Sequence, residues 1–184
     1  GYQVISFTAP VTDLGDVGRA MYNANVVVYW GHGVIRNSAS CLKLSSFDVG
    51  GMHIDGKDVS PDDLRKHIRL APGAWVFLPN SCYAAGNSSE DNGTLSEEVA
   101  RKRMIRYADA FFDIGASGML SCADPLRFLQ ARAKGKGVLE SYKAARHSGD
   151  VVRARAGQAG LWYLKSKHGK GDSFTSALVW DERP

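Results

Sequence analysis

Val26-Val-Val-Tyr29-Trp30-Gly31-His32-Gly33 and Trp75-Val-Phe-Leu78-Pro79-Asn80-Ser81-Cys82-Tyr83-Ala84-Ala85-Gly86 are two short apolar runs that each end in small or polar residues. Runs of this length, rich in β-branched and aromatic residues and bounded by Gly, Pro and Asn, read as buried parallel strands. Ligands of open α/β sheets bind beyond the carboxyl ends of such strands. One run ends in an imidazole and the other in a thiol, so two strands are expected to deliver His32 and Cys82 to one sheet edge. Their separation of 50 positions leaves room for an edge hairpin and one crossover helix, which fits neighbouring strands.

Outward from these runs, strands and helices alternate. Tyr2 to Phe7 reads as a first strand and Asp13 to Asn23, with Leu14, Val17, Ala20 and Met21 at helical spacing, as a crossover helix. Cys41 to Leu44 and Gly51 to Ile54 read as a hairpin around Ser-Ser-Phe-Asp, with His53 a local strand residue. Ser60-Pro61-Asp62-Asp63 starts a helix: Ser caps, Pro suits the first helical position and the acids favour the dipole. Thr94-Leu-Ser-Glu97 reads as a capping box, and the apolar register slips at Arg101-Lys102-Arg103, which predicts two helical pieces.

Gly115 to Cys122 reads as a small-residue parallel strand ended by Asp124-Pro125. Helices over Val138 to Ala145 and Val151 to Leu164 and a final strand from Phe174 to Trp180 complete the chain. The expected fold is a three-layer α/β/α sandwich with a mostly parallel sheet and an edge hairpin. Trp30 and Trp75 are expected in the core.

With 184 residues and 44% hydrophobic content, residues 1–184 are expected to form one domain, and a start at Gly1 is compatible with a fragment of a larger protein. The charged fraction of 23% is ordinary, and neither a secretory signal nor a bilayer-length apolar run is present, so no membrane contact is expected of this domain. Cys41, Cys82 and Cys122 are too few and too odd in number for a disulfide framework, and no paired Cys/His spacing suggests structural zinc. The net charge of +4 is spread over runs that read as solvated helix faces, without a nucleic-acid-binding module. Nucleic acid is accordingly not expected as a partner.

A thiol is a useful nucleophile when ionised, and a nearby imidazole both favours the thiolate and can protonate a leaving amine. Gly33 adds a backbone N–H that, with the N–H of Cys82, can face a developing oxyanion without a side chain in the way. The small residues Ala84, Ala85 and Gly86 permit a tight turn after the thiol.

The strand-His-Gly segment followed by strand-x-Ser-Cys-Tyr-Ala-Ala-Gly resembles the caspase-like, or clan CD, cysteine peptidases, and most of all their bacterial clostripain-like, gingipain and CHAT branches. The likeness runs from about Val26 to Asp124. It implies that His32 is the general acid/base, Cys82 the nucleophile, and the Gly33 and Cys82 amides the oxyanion hole of an endopeptidase that cuts after one selected side chain. It also implies that Asn80 and Ser81, just before the thiol, and Asp124 on the opposite wall line the pocket. An acidic Asp124 there favours a basic or neutral residue before the scissile bond, which makes Arg101-Lys102-Arg103 an autoprocessing candidate. Gln-Ala-Cys-Arg-Gly is absent, so strict aspartate specificity is not implied.

No cofactor is required by such chemistry. Calcium or an anionic activator is compatible with the resemblance, as are further domains of a parent chain and a bacterial setting, cytoplasmic or exported. The expected partner is a protein or peptide substrate. The competing function is a catalytically silent caspase-like module that binds a peptide or partner protein. A flavodoxin-like small-ligand domain would need a phosphate-cradling loop, and neither Gly50-Gly51 nor Gly115-Ala-Ser-Gly118 leads from a strand into a capped helix.

Overall fold

The computed structural model describes residues 3–6, 13–33, 50–54, 56–86, 96–146, 150–156, 159–168 and 171–181. Its elements are, in order, α1 (Leu14–Met21), β1 (Val26–Val28), β2 (Met52–Ile54), β3 (Lys57–Val59), α2 (Pro61–His67), β4 (Ala74–Leu78), α3 (Glu97–Phe112), β5 (Ala116–Ser121), α4 (Pro125–Ala133), α5 (Val138–Ala145), β6 (Asp150–Ala156), β7 (Ala159–His168) and β8 (Gly171–Asp181). The architecture is a three-layer α/β/α sandwich. Its central sheet has the order β1-β4-β5-β8-β7-β6.

β1, β4 and β5 are parallel neighbours, with Val26 beside Trp75, Val28 beside Phe77 and Leu78 beside Ser121. β8, β7 and β6 then add in antiparallel fashion. Four of the six strands share one direction, and the parallel half carries both strand ends of interest.

Side-chain alternation along these strands builds two cores. Val76, Leu78, Met119, Leu161, Tyr163, Ala177 and Val179 face α1, α2 and α3, whose Val17, Met21, Leu64, Met104, Tyr107 and Phe111 close one side. Trp75, Phe77, Leu120, Trp162, Leu178 and Trp180 face α4 and α5, where Phe128, Tyr142 and Ala145 close the other. Successive strand residues point to opposite faces, so one short apolar strand serves both layers. Trp75 lies 5.0 Å from the Phe128 ring, and Trp162 lies 4.2 Å from Trp180.

Helix starts follow local chemistry. At α2 the Ser60 hydroxyl accepts from the Asp63 N–H and the Asp63 carboxylate accepts from the Ser60 N–H, with Pro61 in the first turn. α1 begins where the Asp13 carboxylate accepts from the Gly15 N–H.

Several expectations are corrected. Gln3 to Ser6 form no strand, and Val4 and Ile5 are exposed, so the sheet's first described strand is β1. The hairpin pairs Met52–Ile54 with Lys57–Val59 as a separate two-stranded sheet; Cys41 to Leu44 lie outside the described residues. Thr94 also lies outside them, and the cap of α3 is Ser96, whose hydroxyl accepts from Val99 N–H.

The slip at Arg101-Lys102-Arg103 does not split α3, which runs unbroken because Arg103 is buried rather than solvated. Its guanidinium sits 5.2 Å from the centre of the Tyr83 ring and donates to the Gly86 carbonyl. Asp124-Pro125 ends a strand and also opens α4, by the same cap-then-Pro logic as Ser60-Pro61. Val151 to Leu164 is no helix: it supplies most of β6 and β7, an antiparallel pair that runs from Asp150–Lys165 to Ala156–Ala159. Trp30 is 73% exposed, because the chain leaves the sheet after Val28.

Candidate active site

The parallel pairing of β1 and β4 brings the segments 29–33 and 79–83 to the same end of adjacent strands. They are stitched together there. The Tyr29 N–H donates to the Phe77 carbonyl, and the Ser81 hydroxyl donates to the Gly31 carbonyl across 3.0 Å.

Gly33 packs directly on Cys82. A Cβ placed on Gly33 would stand 1.9 Å from the Cys82 carbonyl oxygen and 2.9 Å from its amide nitrogen, so only glycine fits. This contact sets the Gly33 backbone against the Cys82 backbone. Among the described residues neither N–H donates to an acceptor. Cys82 is half-buried against the first core, whereas His32, one residue before Gly33, is exposed at the surface of the same edge.

Behind the thiol the chain turns sharply, with Tyr83 at φ 64° and Gly86 at φ 106°, both in the left-handed region. Two buried polar groups hold this turn. Arg103 clamps Tyr83 and Gly86 from α3, and the Ser121 hydroxyl at the end of β5 donates to the Ala84 carbonyl at 2.8 Å. Cys122 closes the neighbouring strand, its thiol 3.9 Å from the Ser81 carbonyl. Burial, and then the charge of nearby Cys82, push the Cys122 thiol up to about 11, so it stays protonated at neutral pH.

Beyond His32 lies a group that spacing alone did not single out. The His53 ring on β2 meets the His32 ring edge-on, with centroids 6.2 Å apart and planes at 83°. Its Nδ1 lies 2.8 Å from Asp58 Oδ1 on β3. The Tyr29 hydroxyl accepts from the His53 N–H at 2.8 Å and has the carbonyls of His53 and His32 within 2.8 and 3.0 Å as acceptors for its proton. Desolvation by burial is the main cause raising the Tyr29 phenol above its usual range, so that proton stays in place. Gly31 makes room for the ring: a Cβ there would come within 2.3 Å of it. A tyrosine two residues before a glycine was the only sequence signal for this bridge.

The expected pocket residues separate. Asn80 is exposed in the turn before the thiol. Ser81 is buried, its hydroxyl engaged by Gly31, so it ties the two strand ends together instead of lining an open surface. Asp124 caps α4 by accepting from the Arg127 N–H, and its other oxygen pairs with the Arg127 guanidinium at 3.4 Å. Its carboxylate is thus satisfied by its own helix.

No family model, curated protein or solved structure matches the chain. Among the described residues no group of three or more His, Cys, Asp or Glu side chains is placed to hold a metal ion, and no helix is long and apolar enough to cross a membrane. Cys41 and His147 lie outside the described residues.

Proposed function

We propose that this chain is a cysteine endopeptidase of the caspase-like type, with His32 and Cys82 as its dyad. The observation that carries the proposal is the packing of Gly33 on Cys82 at the carboxyl ends of two adjacent parallel strands, with His32 next in sequence. A core thiol needs neither that contact nor an imidazole-bearing segment at the neighbouring strand end.

In the proposed reaction His32 takes the Cys82 proton and the thiolate attacks the scissile carbonyl, forming a C–S bond as the carbonyl electrons move to oxygen. The Gly33 and Cys82 N–H groups donate to that oxyanion, a contribution of about 2.7–4 kcal/mol per donor in characterised hydrolases. The His32 imidazolium then protonates the leaving amine and the C–N bond breaks. Water, deprotonated by His32, attacks the thioester, releases the new carboxyl terminus and returns the thiol. Every proton moves through protein groups or water.

The selected side chain is proposed to be neutral or basic. Because Asp124 is held by its own helix and by Arg127, a neutral one is favoured. Cleavage within Arg101-Lys102-Arg103 is disfavoured in the folded chain, since these residues sit inside a continuous helix with Arg103 buried.

The test is a positional peptide library profiled with wild type, His32→Ala and Cys82→Ala, together with mass-spectrometric mapping of iodoacetamide adducts. Wild type is expected to cut after one class of residue and to label Cys82 first, and both variants to be inactive. If no peptide is cut and Cys82 labels no faster than Cys41 or Cys122, the protease reading fails and a silent peptide-binding module takes its place.

A further inference from the structure

His32 is exposed, and an exposed imidazole samples several rotamers unless something walls it in. The wall present is His53. It comes from a hairpin that is not part of the central sheet, so its location depends on specific ties to the His32 segment. Tyr29 supplies one, bridging the backbones of His32 and His53 through a single hydroxyl. Asp58 supplies another, directly across from His53 in the hairpin register and 2.8 Å from its Nδ1. A carboxylate only accepts, so Nδ1 carries the proton and the ring is fixed in one tautomer and one plane. The fixed ring then stands edge-on against His32.

We propose that His53, anchored by Asp58 and Tyr29, is the positioning residue for the His32 imidazole. The proposal rests on the His32–Cys82 dyad proposed above. The effect of His53 passes through the orientation of His32. Such placement matters because displacing a reacting group by about 1 Å can cost on the order of a hundredfold in rate. Among the described residues, the charged and titratable groups facing His53 are Asp58 across the hairpin, Tyr29 after β1 and His32 itself.

The experiment is the pH profile of Cys82 carbamidomethylation by iodoacetamide, followed site by site by mass spectrometry, with thermal unfolding recorded for each variant. An imidazolium–thiolate pair gives wild type a reactive shoulder on the acid side of free-thiol titration, and His32→Ala removes it. His53→Ala is expected to lower that shoulder about tenfold while leaving the alkaline plateau, where the thiol ionises unaided, unchanged. Asp58→Leu is expected to act like His53→Ala, and Asp58→Asn, which keeps an acceptor for Nδ1, to stay within about twofold of wild type.

A purely structural role would move unfolding temperature and plateau together and would not spare the plateau. Asp58 is well exposed, so its variants decide the matter even where His53→Ala fails to fold. Loss of the shoulder in His32→Ala with no change in His53→Ala or Asp58→Leu overturns the positioning role and leaves the dyad standing. Persistence of the shoulder in His32→Ala overturns the dyad, and this proposal with it.

Discussion

The Ser81 hydroxyl donates to the Gly31 carbonyl across 3.0 Å, joining the ends of β1 and β4 beside His32 and Cys82. Ser81→Ala is therefore expected to cost about 1–2 kcal/mol, because the Gly31 carbonyl loses its partner. Cys82 reactivity should fall with it, since Gly33 is held against Cys82 through the same segment. Urea unfolding and the iodoacetamide rate measure the two effects, and a variant as stable and as reactive as wild type would remove Ser81 from this role.

Gly33→Ala is expected to abolish peptide cleavage, a loss of a hundredfold or more on the scale of a missing oxyanion donor. The new methyl would meet Cys82 backbone at 1.9 Å, and a backbone neighbour cannot swing aside. Gly137→Ala is the control. It has open space around it at an ordinary φ of −62°, and replacing an N-cap glycine by alanine changes stability by only a few tenths to about 1 kcal/mol.

The half-buried Cys122 thiol makes stability fall in alkali. Its folded value is raised above the unfolded one, so the unfolded chain releases the proton first. Below about pH 9 the term is fully present, and it is lost as pH rises toward about 11. Wild type should lose stability relative to Cys122→Ala at roughly 1.4 kcal/mol per pH unit at most across that window. Parallel urea-derived stabilities of the two proteins at pH 8, 9 and 10 would contradict this.

Arg103→Ala should destabilise by roughly 2–4 kcal/mol, the sum of a charge-assisted hydrogen bond and a buried cation–π contact. The turn after Cys82 loses its clamp on Tyr83 and Gly86. Denaturation midpoints give the stability, and faster proteolysis between Tyr83 and Ser96 by an added protease gives the local loosening.

Asp124→Ala should cost about 1 kcal/mol through loss of the α4 cap and leave the cleavage preference unchanged, whereas Asp124→Asn keeps the cap and most of the stability. A library profile that shifts toward acidic residues in Asp124→Ala, with unfolding unaltered, would return Asp124 to the pocket wall.

Features legible in the chain were those whose physics is local. Ser60-Pro61 starts a helix by hydrogen bonds to a residue three positions away, and the buried strands of the parallel half announce themselves as short apolar runs. Where the same local sign serves two ends, the reading caught one of them: Asp124-Pro125 closes a strand, as expected, and also opens α4, which was not. β6 and β7 were missed because Val151 to Leu164 contains enough apolar residues for either period, and pairing with β8 decides between them.

By itself the sequence determined the α/β alternation, the three-layer class and the location of His32, Gly33 and Cys82 at strand ends, since apolar runs and their terminators depend on nearest neighbours alone. Only the tertiary structure decided that Gly33 abuts Cys82, that Arg103 lies under the turn after Cys82 rather than in water, and that His53, Asp58 and Tyr29 gather around His32. Most of those relations join residues 17 to 49 positions apart or lie across strand register, and a short chain window carries no record of which distant backbone will pair with it.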